Sequence, residues 1–333
     1  MKKLVSLLVS LGVLALIYWK LSQHGQLAKL EEIFRECDRR WMAISLGMVV
    51  PLTLFTSWRL QQLMPRAGQL GFGEANRLIL VASVLNLVLP SKMGDIAKAY
   101  FMRDRGHLDG SLALSLVVFE KACDMLSLLL WCVFGIAWCA VDSSIYPQKN
   151  ALFWTMAAGV IVLLVFGLLL LGSERFAAFF FAMGQKFAPG KMREKLAKLA
   201  VSWTEMHGYF WSSKARLYKV TLTSVFIWFL HLLQIWMFTL ALRATVPFLA
   251  NLALSPLGIL AGLLPLTFAG VGTRDAALVI FYAPFFSAPT AAALGILCTA
   301  RYVLPAIGGL PFAGHYFQAM KSVGKEQLAA SKA

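Results

Sequence analysis

Charged residues are scarce in this 333-residue chain, since Asp, Glu, Lys and Arg make up only 14% of it. Soluble domains usually contain about 25% charged residues. Apolar residues make up 59%, and the mean hydropathy is +0.71. A soluble fold with so much apolar surface would aggregate, so the composition indicates a membrane protein and excludes a disordered chain.

Motifs for metal, redox and catalytic chemistry are also missing from the sequence. The five cysteines are scattered, with no C-x-x-C pair. There is no H-E-x-x-H, no G-x-S-x-G and no His/Cys cluster with metal-ligand spacing. Residues 184–192 approximate a P-loop, but Met192 stands where Ser or Thr should hold magnesium. We therefore expect a protein that is not an enzyme and that uses neither a metal nor a cofactor.

Long apolar runs are what the sequence has in abundance. A transmembrane helix needs roughly 20 mostly apolar residues. Six stretches meet this requirement: 4–19, 41–60, 113–140, 151–172, 219–242 and 291–313. The expected fold is an all-α polytopic membrane protein, with a single integral-membrane domain over 1–320 and a cytoplasmic tail over 321–333.

Two further apolar stretches, 78–102 and 252–287, are interrupted by Pro90 and Pro265 and by nearby glycines. Proline removes a backbone donor and breaks a helix. Broken backbone at membrane depth survives only inside protein or beside water. We interpret the two stretches as re-entrant helical hairpins of opposite orientation, an inverted-repeat-like core typical of a transporter.

The basic residues follow a topology with both termini in the cytoplasm. On this model 20 of the 31 lie on the cytoplasmic side, Arg59 among them, and 7 on the outer side. The four left at membrane depth are Lys92, Lys121, Arg274 and Arg301. Because the basic residues follow topology rather than one exposed face, nucleic acid is excluded as a partner.

The first break offers a binding site for an anion. Asp95 is predicted to be the N-cap of a helix that starts after Gly94. The free N–H groups at such a start favour an anion, and Lys92 and Lys98 would add positive charge. The alternative is that Asp95 only caps the helix and the lysines extend to the headgroups.

The second break repeats this arrangement. Gly270 and Gly272 are expected to form the turn, and Asp275 or Thr273 to cap the following helix. Arg274 lies in the first helical turn, where a cation opposes the helix dipole. We therefore expect Arg274 to face an anion or to pair with an acid.

Charged residues also interrupt two apolar spans. Glu120 and Asp124 are four residues apart and share a helix face, and Lys121 can pair with Asp124. Arg301, beside Tyr302, lies near the middle of the last span and needs a partner there. That partner is either a ligand phosphate or one of the acids Glu120, Asp124 and Asp275.

The chain resembles the flippase-like membrane family in four segments: LNLVLPSKMGDIAKAYFMRDRG (85–106), SLVVFEKACDML (115–126), GLLPLTFAGVGTRDAAL (262–278) and Ala300-Arg301-Tyr302. That family includes the transmembrane flippase part of bifunctional lysylphosphatidylglycerol synthases and stand-alone relatives. The resemblance implies lipid translocation through a cavity between two re-entrant elements. The residues at its motif positions are Pro90, Gly94, Asp95, Glu120, Asp124, Pro265, Gly270, Gly272, Arg274 and Arg301. Two departures are Asp275, where a glutamate is more usual, and the lack of an aminoacyl-transfer domain.

We expect the chain to move an anionic lipid, either a phospholipid or a polyprenyl-phosphate-linked lipid, across a bacterial inner membrane. The phosphate would lie between the helix tips after Gly94 and Gly272, held by Arg274, Arg301 and Lys92. The other residues expected to bind substrate are Asp95, Lys98, Glu120, Lys121, Asp124, Gly270, Asp275 and Tyr302. The three acids Asp95, Glu120 and Asp124 would neutralise the cations when the site is empty.

Two alternative functions stay open at this stage. One is a membrane glycosyltransferase, or its accessory subunit, acting on a polyprenyl-phosphate sugar, for which residues 22–40 offer an outer-facing carboxylate. The other is a scaffold for a biosynthetic complex. Expected partners besides the membrane and its lipid are glycolipid or phospholipid biosynthetic enzymes, and self-association is left open.

Overall fold

The computed structural model describes residues 26–64, 70–88, 93–106, 108, 110–145, 150–263 and 272–330. These residues are helical, with short connections and no β-strand among them. In chain order the helices are α1 Gln26–Arg35, α2 Arg39–Gly47, α3 Val49–Leu63, α4 Phe72–Val88, α5 Met93–Gly106, α6 Gly110–Val141, α7 Ala151–Gly172, α8 Glu174–Phe187, α9 Gly190–Trp211, α10 Lys214–Ala241, α11 Phe248–Leu263, α12 Thr273–Phe281 and α13 Ala288–Ala330.

Polar side chains at the helix starts explain where several helices begin. The Asp38 carboxylate accepts from the backbone N–H groups of Arg40 and Trp41 at the start of α2. Asn150, Ser173 and Ser213 cap α7, α8 and α10 in the same way. Each cap satisfies N–H groups that have no partner within the helix, so each fixes the start of a helix.

Five helical stretches are long and apolar enough to cross a membrane: Arg39–Leu63, Leu112–Val141, Phe153–Gly172, Lys214–Ala241 and Ala288–Gly314. They coincide with five of the six predicted spans, and the sixth, 4–19, lies outside the described residues. The prediction of an all-α polytopic membrane protein is therefore confirmed.

The two interrupted stretches each form a pair of helices. Helices α4 and α5 pack against each other, and so do α11 and α12. The links between the partners, 89–92 and 264–271, lie outside the described residues, and with them Pro90, Lys92, Pro265 and Gly270. The re-entrant interpretation stays a prediction.

The long helix α6 joins two apolar clusters. Its first part, with Leu116 and Phe119, packs into a cluster with α3, α4, α5, α8 and α9. Its later part, with Leu128 and Cys132, packs into a second cluster with α7 and α10 to α13. Residues 120–124 of α6 lie where these two clusters meet, and three of the five, Glu120, Lys121 and Asp124, are charged. The fold therefore places charged groups at the junction of two apolar cores.

Candidate functional site

A cavity of about 240 Å³ lies among helices α3, α4, α5, α6, α10 and α13. Its wall combines apolar side chains with a concentrated set of polar ones. These polar residues include Arg59, Asn86, Asp95, Lys98, Glu120, Lys121, Asp124, His231, Gln234, Arg301 and Tyr302. The structure thus brings together Asp95 and Lys98 of the first break with the predicted residues of α6 and of the last span, although they are far apart in sequence.

Arg59 organises one side of this cavity. The residue is 2% exposed, and its guanidinium contacts the Glu120 carboxylate at 2.9 Å and the Asp124 carboxylate at 2.5 Å. It also donates to the Ser224 hydroxyl at 2.9 Å. The prediction that Arg59 is an ordinary span-end charge is therefore wrong, because the residue is buried against two acids. The side of the membrane on which it lies stays a prediction.

A sequence signal for Arg59 does exist. Thr53 and Thr56 precede it at spacings of three, which places all three residues along one helix face. All three line the cavity. A polar stripe in an apolar helix indicates a face that turns away from lipid, and this stripe ends at the arginine.

The carboxylates of α6 continue the network towards α5. Glu120 also pairs with Lys98, so it lies between two cations. Lys121 lies 3.2 Å from the Asp95 carboxylate and 3.7 Å from that of Asp124. The predicted shared face of Glu120 and Asp124 and the predicted Lys121–Asp124 pair are both present. Cations and anions alternate, so each charge in this part of the site has an opposite neighbour.

The start of α5 differs from the prediction. The helix begins at Met93, which makes Asp95 a first-turn residue rather than the N-cap. The Gly94 N–H donates to the Asn86 side chain at 3.0 Å, and a Cβ at this position would overlap the Ala82 carbonyl oxygen. Glycine therefore allows α5 to approach α4 closely, and Asp95 is left to face the lysines.

Arg301 is the exception to this charge pairing. The residue is 4% exposed, and it donates to the Tyr302 hydroxyl at 2.8 Å and, at the long distance of 3.5 Å, to the His231 carbonyl oxygen. Its Nε has no hydrogen-bond partner among the described residues. No described carboxylate lies within 4.0 Å of its guanidinium, so none of the three acids considered as its partner pairs with it there.

Arg274 lies outside the cavity lining, and its guanidinium is hydrogen-bonded to neighbouring groups. It donates to Asp275 at 2.7 and 2.9 Å and, on α13, to the Gly295 carbonyl and the Thr299 hydroxyl. Asp275 in turn accepts from the N–H of Gly272, whose φ of 101° favours glycine. These contacts fasten α12 to α13. Neither Arg274 nor Asp275 is among the residues that line the cavity, although Arg274 contacts α13 only two residues before Arg301.

Comparison with known proteins agrees with the resemblance carried by the motifs. Residues 4–310 match the family described as the lysylphosphatidylglycerol synthase TM region. A UPF0104 membrane protein of Methanocaldococcus jannaschii is 25% identical over 246 residues, which cover 70% of this chain and 71% of that protein. The match to the family extends over most of the chain and supports a role connected with membrane lipids. The chain is a multi-pass membrane protein that belongs to the lysylphosphatidylglycerol synthase transmembrane-region family.

Proposed function

We propose that this protein is a lipid transporter, rather than an enzyme, that moves an anionic, phosphate-bearing lipid across a bacterial inner membrane. The phosphate binds at Arg301 in the polar cavity, and the acyl or prenyl chains stay in the bilayer. Both termini are cytoplasmic in this proposal, as the distribution of basic residues predicts.

The observation that carries the proposal is a buried guanidinium that has no counter-ion among the described residues. A charged side chain at the centre of a span costs at least about 2.5–3.5 kcal/mol on insertion scales. Arg301 lies midway along Ala288–Gly314, and no described acid offsets its charge. A lipid phosphate suits this guanidinium, because phosphate oxygens can accept two parallel N–H donors from an arginine. Substrate binding would thus supply the missing partner.

The ion network beside Arg301 supports the same assignment. Arg59, Lys98 and Lys121 already have carboxylate partners, so they do not attract an anion as strongly as Arg301 does. This fits the expected role of the acids, which is to neutralise the cations of an empty site. Arg274, expected to hold the phosphate, instead has a structural role in the proposal.

Transport in proteoliposomes tests the proposal directly. Purified protein is reconstituted with a fluorescent phospholipid, and the fraction of label that reaches the outer leaflet is followed by chemical quenching. Arg301→Gln should reduce the protein-dependent rate to that of empty vesicles, because the phosphate loses its charged partner. Arg175→Gln is the matched control, since it removes the same charge from an exposed position on α8. Full activity of folded Arg301→Gln protein would refute the proposal.

The alternative functions gain no support from the described residues. The hypothesis of a glycosyltransferase requires a carboxylate from residues 22–40 near the cavity. Glu31 instead forms an exposed pair with Arg35, and Asp38 caps α2. None of the four carboxylates of this stretch, Glu31, Glu32, Glu36 and Asp38, is among the described residues that line the cavity. A scaffold role predicts that loss of the Arg301 charge is harmless, so the same transport experiment separates it from the transporter.

A further inference from the structure

The charges of the described residues around the cavity do not cancel. Its described lining has four cationic side chains and three anionic ones, which leaves one positive charge in excess. The three acids are bound to Arg59, Lys98 and Lys121, so the excess lies on Arg301.

On the basis of the proposed function, we infer that the transported headgroup is a small phosphodiester with one net negative charge that also carries hydrogen-bond donors. A single negative charge matches the excess on Arg301. A doubly charged phosphomonoester or diphosphate would bring an uncompensated anion into a buried site, and a lipid without net charge would leave the site positive.

The need for donors follows from Gln234 and His231. The side-chain N–H of Gln234 donates to the Ser45 carbonyl oxygen at 2.9 Å, which fixes the amide orientation. Its Oε1 is then a buried acceptor without a partner among the described residues, and so is the Nδ1 atom of His231 when its ring carries the proton on Nε2. Both residues line the cavity beside Arg301. A headgroup hydroxyl or ammonium would satisfy these acceptors, whereas a headgroup without donors would leave them unpaired at a cost.

The size of the cavity limits the headgroup further. About 240 Å³ is less than the roughly 300–1,000 Å³ of pockets that enclose a drug-sized ligand. A phosphate with a few attached atoms fits in this space, and an oligosaccharide does not. Tyr302 lines the cavity but is 48% exposed, so it marks an opening through which the lipid chains can reach the bilayer.

Four labelled lipids with the same acyl chains separate these requirements in the transport assay. Phosphatidylglycerol has one charge and hydroxyl donors, phosphatidylmethanol has the charge without donors, phosphatidic acid is a monoester, and phosphatidylcholine is a zwitterion without donors. We expect phosphatidylglycerol to move fastest, by about tenfold over each of the others, which is the factor that one unpaired buried group or charge produces.

Charge variants test the reason for this order. Asp95→Asn raises the excess to two positive charges and should increase the rate of phosphatidic acid relative to phosphatidylglycerol by about tenfold. Asp124→Asn makes the same change from another helix and serves if the first variant does not fold. Arg175→Gln should leave the order of the four lipids unchanged.

The outcomes separate the two proposals. If the wild-type protein moves none of the lipids, the proposed function fails and the inference fails with it. If it moves all four at equal rates, or if both acid-to-amide variants leave the ratio of phosphatidic acid to phosphatidylglycerol transport unchanged, the transporter stands and the inference on its headgroup is wrong.

Discussion

Replacement of Arg59 by methionine measures how much the buried ion network contributes to stability. Methionine retains the length of the aliphatic part of the arginine side chain and removes the cation that lies between Glu120 and Asp124. Loss of one partner from a buried ion pair costs about 3–5 kcal/mol, because a charge is left without compensation. The free energy of unfolding, measured by reversible denaturation in mixed micelles, gives the cost directly.

The structure places the expected cost near the lower end of that range. After the change Glu120 still contacts Lys98, and Asp124 still lies 3.7 Å from Lys121. The Ser224 hydroxyl loses one contact but keeps its hydrogen bond to the Val220 carbonyl at 2.9 Å. Since no group is fully orphaned, we expect a loss of about 3 kcal/mol.

Two comparisons make this prediction refutable. Arg77→Met removes an exposed arginine that lies 3.8 Å from Glu74, and should cost about 1 kcal/mol or less. The double change Arg59→Met with Glu120→Gln removes one of the two acids as well, so it should cost less than the sum of the single changes. If Arg59→Met costs no more than Arg77→Met, or if the double change is additive, the network does not stabilise the fold as argued.

Two other substitutions test the packing that surrounds the site. Gly309→Ala places a Cβ against the Leu80 carbonyl oxygen and should destabilise the fold by about 1–3 kcal/mol. As the control, Gly314→Ala meets no atom within 4 Å and should be neutral or stabilising. Equal unfolding free energies of the two variants would contradict the close contact of α4 and α13. Arg274→Gln breaks the buried pair with Asp275 and should cost about 3–5 kcal/mol of unfolding free energy. The order in which the folded variant transports the four lipids should not change, and a changed order would show that Arg274 contacts the substrate.

The sequence predicts the spans well because membrane insertion depends on local composition. A run of roughly 20 apolar residues is sufficient evidence for a spanning helix, whatever its neighbours are. The breaks at 89–92 and 264–271 are likewise marked by proline and glycine in the chain itself. Helix starts are harder to predict, because Asp95 satisfies the composition of an N-cap while α5 begins two residues earlier.

Contacts between distant residues set the limit of sequence prediction. Lys121 and Asp124 are three residues apart, so their pairing is visible in the sequence. Arg59 is 61 residues from Glu120, and only the packing of α3 against its neighbours brings them together. An arginine near the end of a span is usually a topological signal, and the sequence offers only the stripe from Thr53 against that interpretation.

The three arginines that are buried in the described part of the chain show why depth in the membrane does not by itself identify a binding residue. Arg59, Arg274 and Arg301 are 2%, 3% and 4% exposed, so burial does not distinguish them. Their partners do, because Arg59 and Arg274 each contact a carboxylate and Arg301 contacts none among the described residues. A structural pair compensates the desolvation of its cation permanently, whereas a site that binds and releases an anion must leave its cation uncompensated for part of the cycle. The assignment of the phosphate to Arg301 therefore follows from its missing partner rather than from its position in the span.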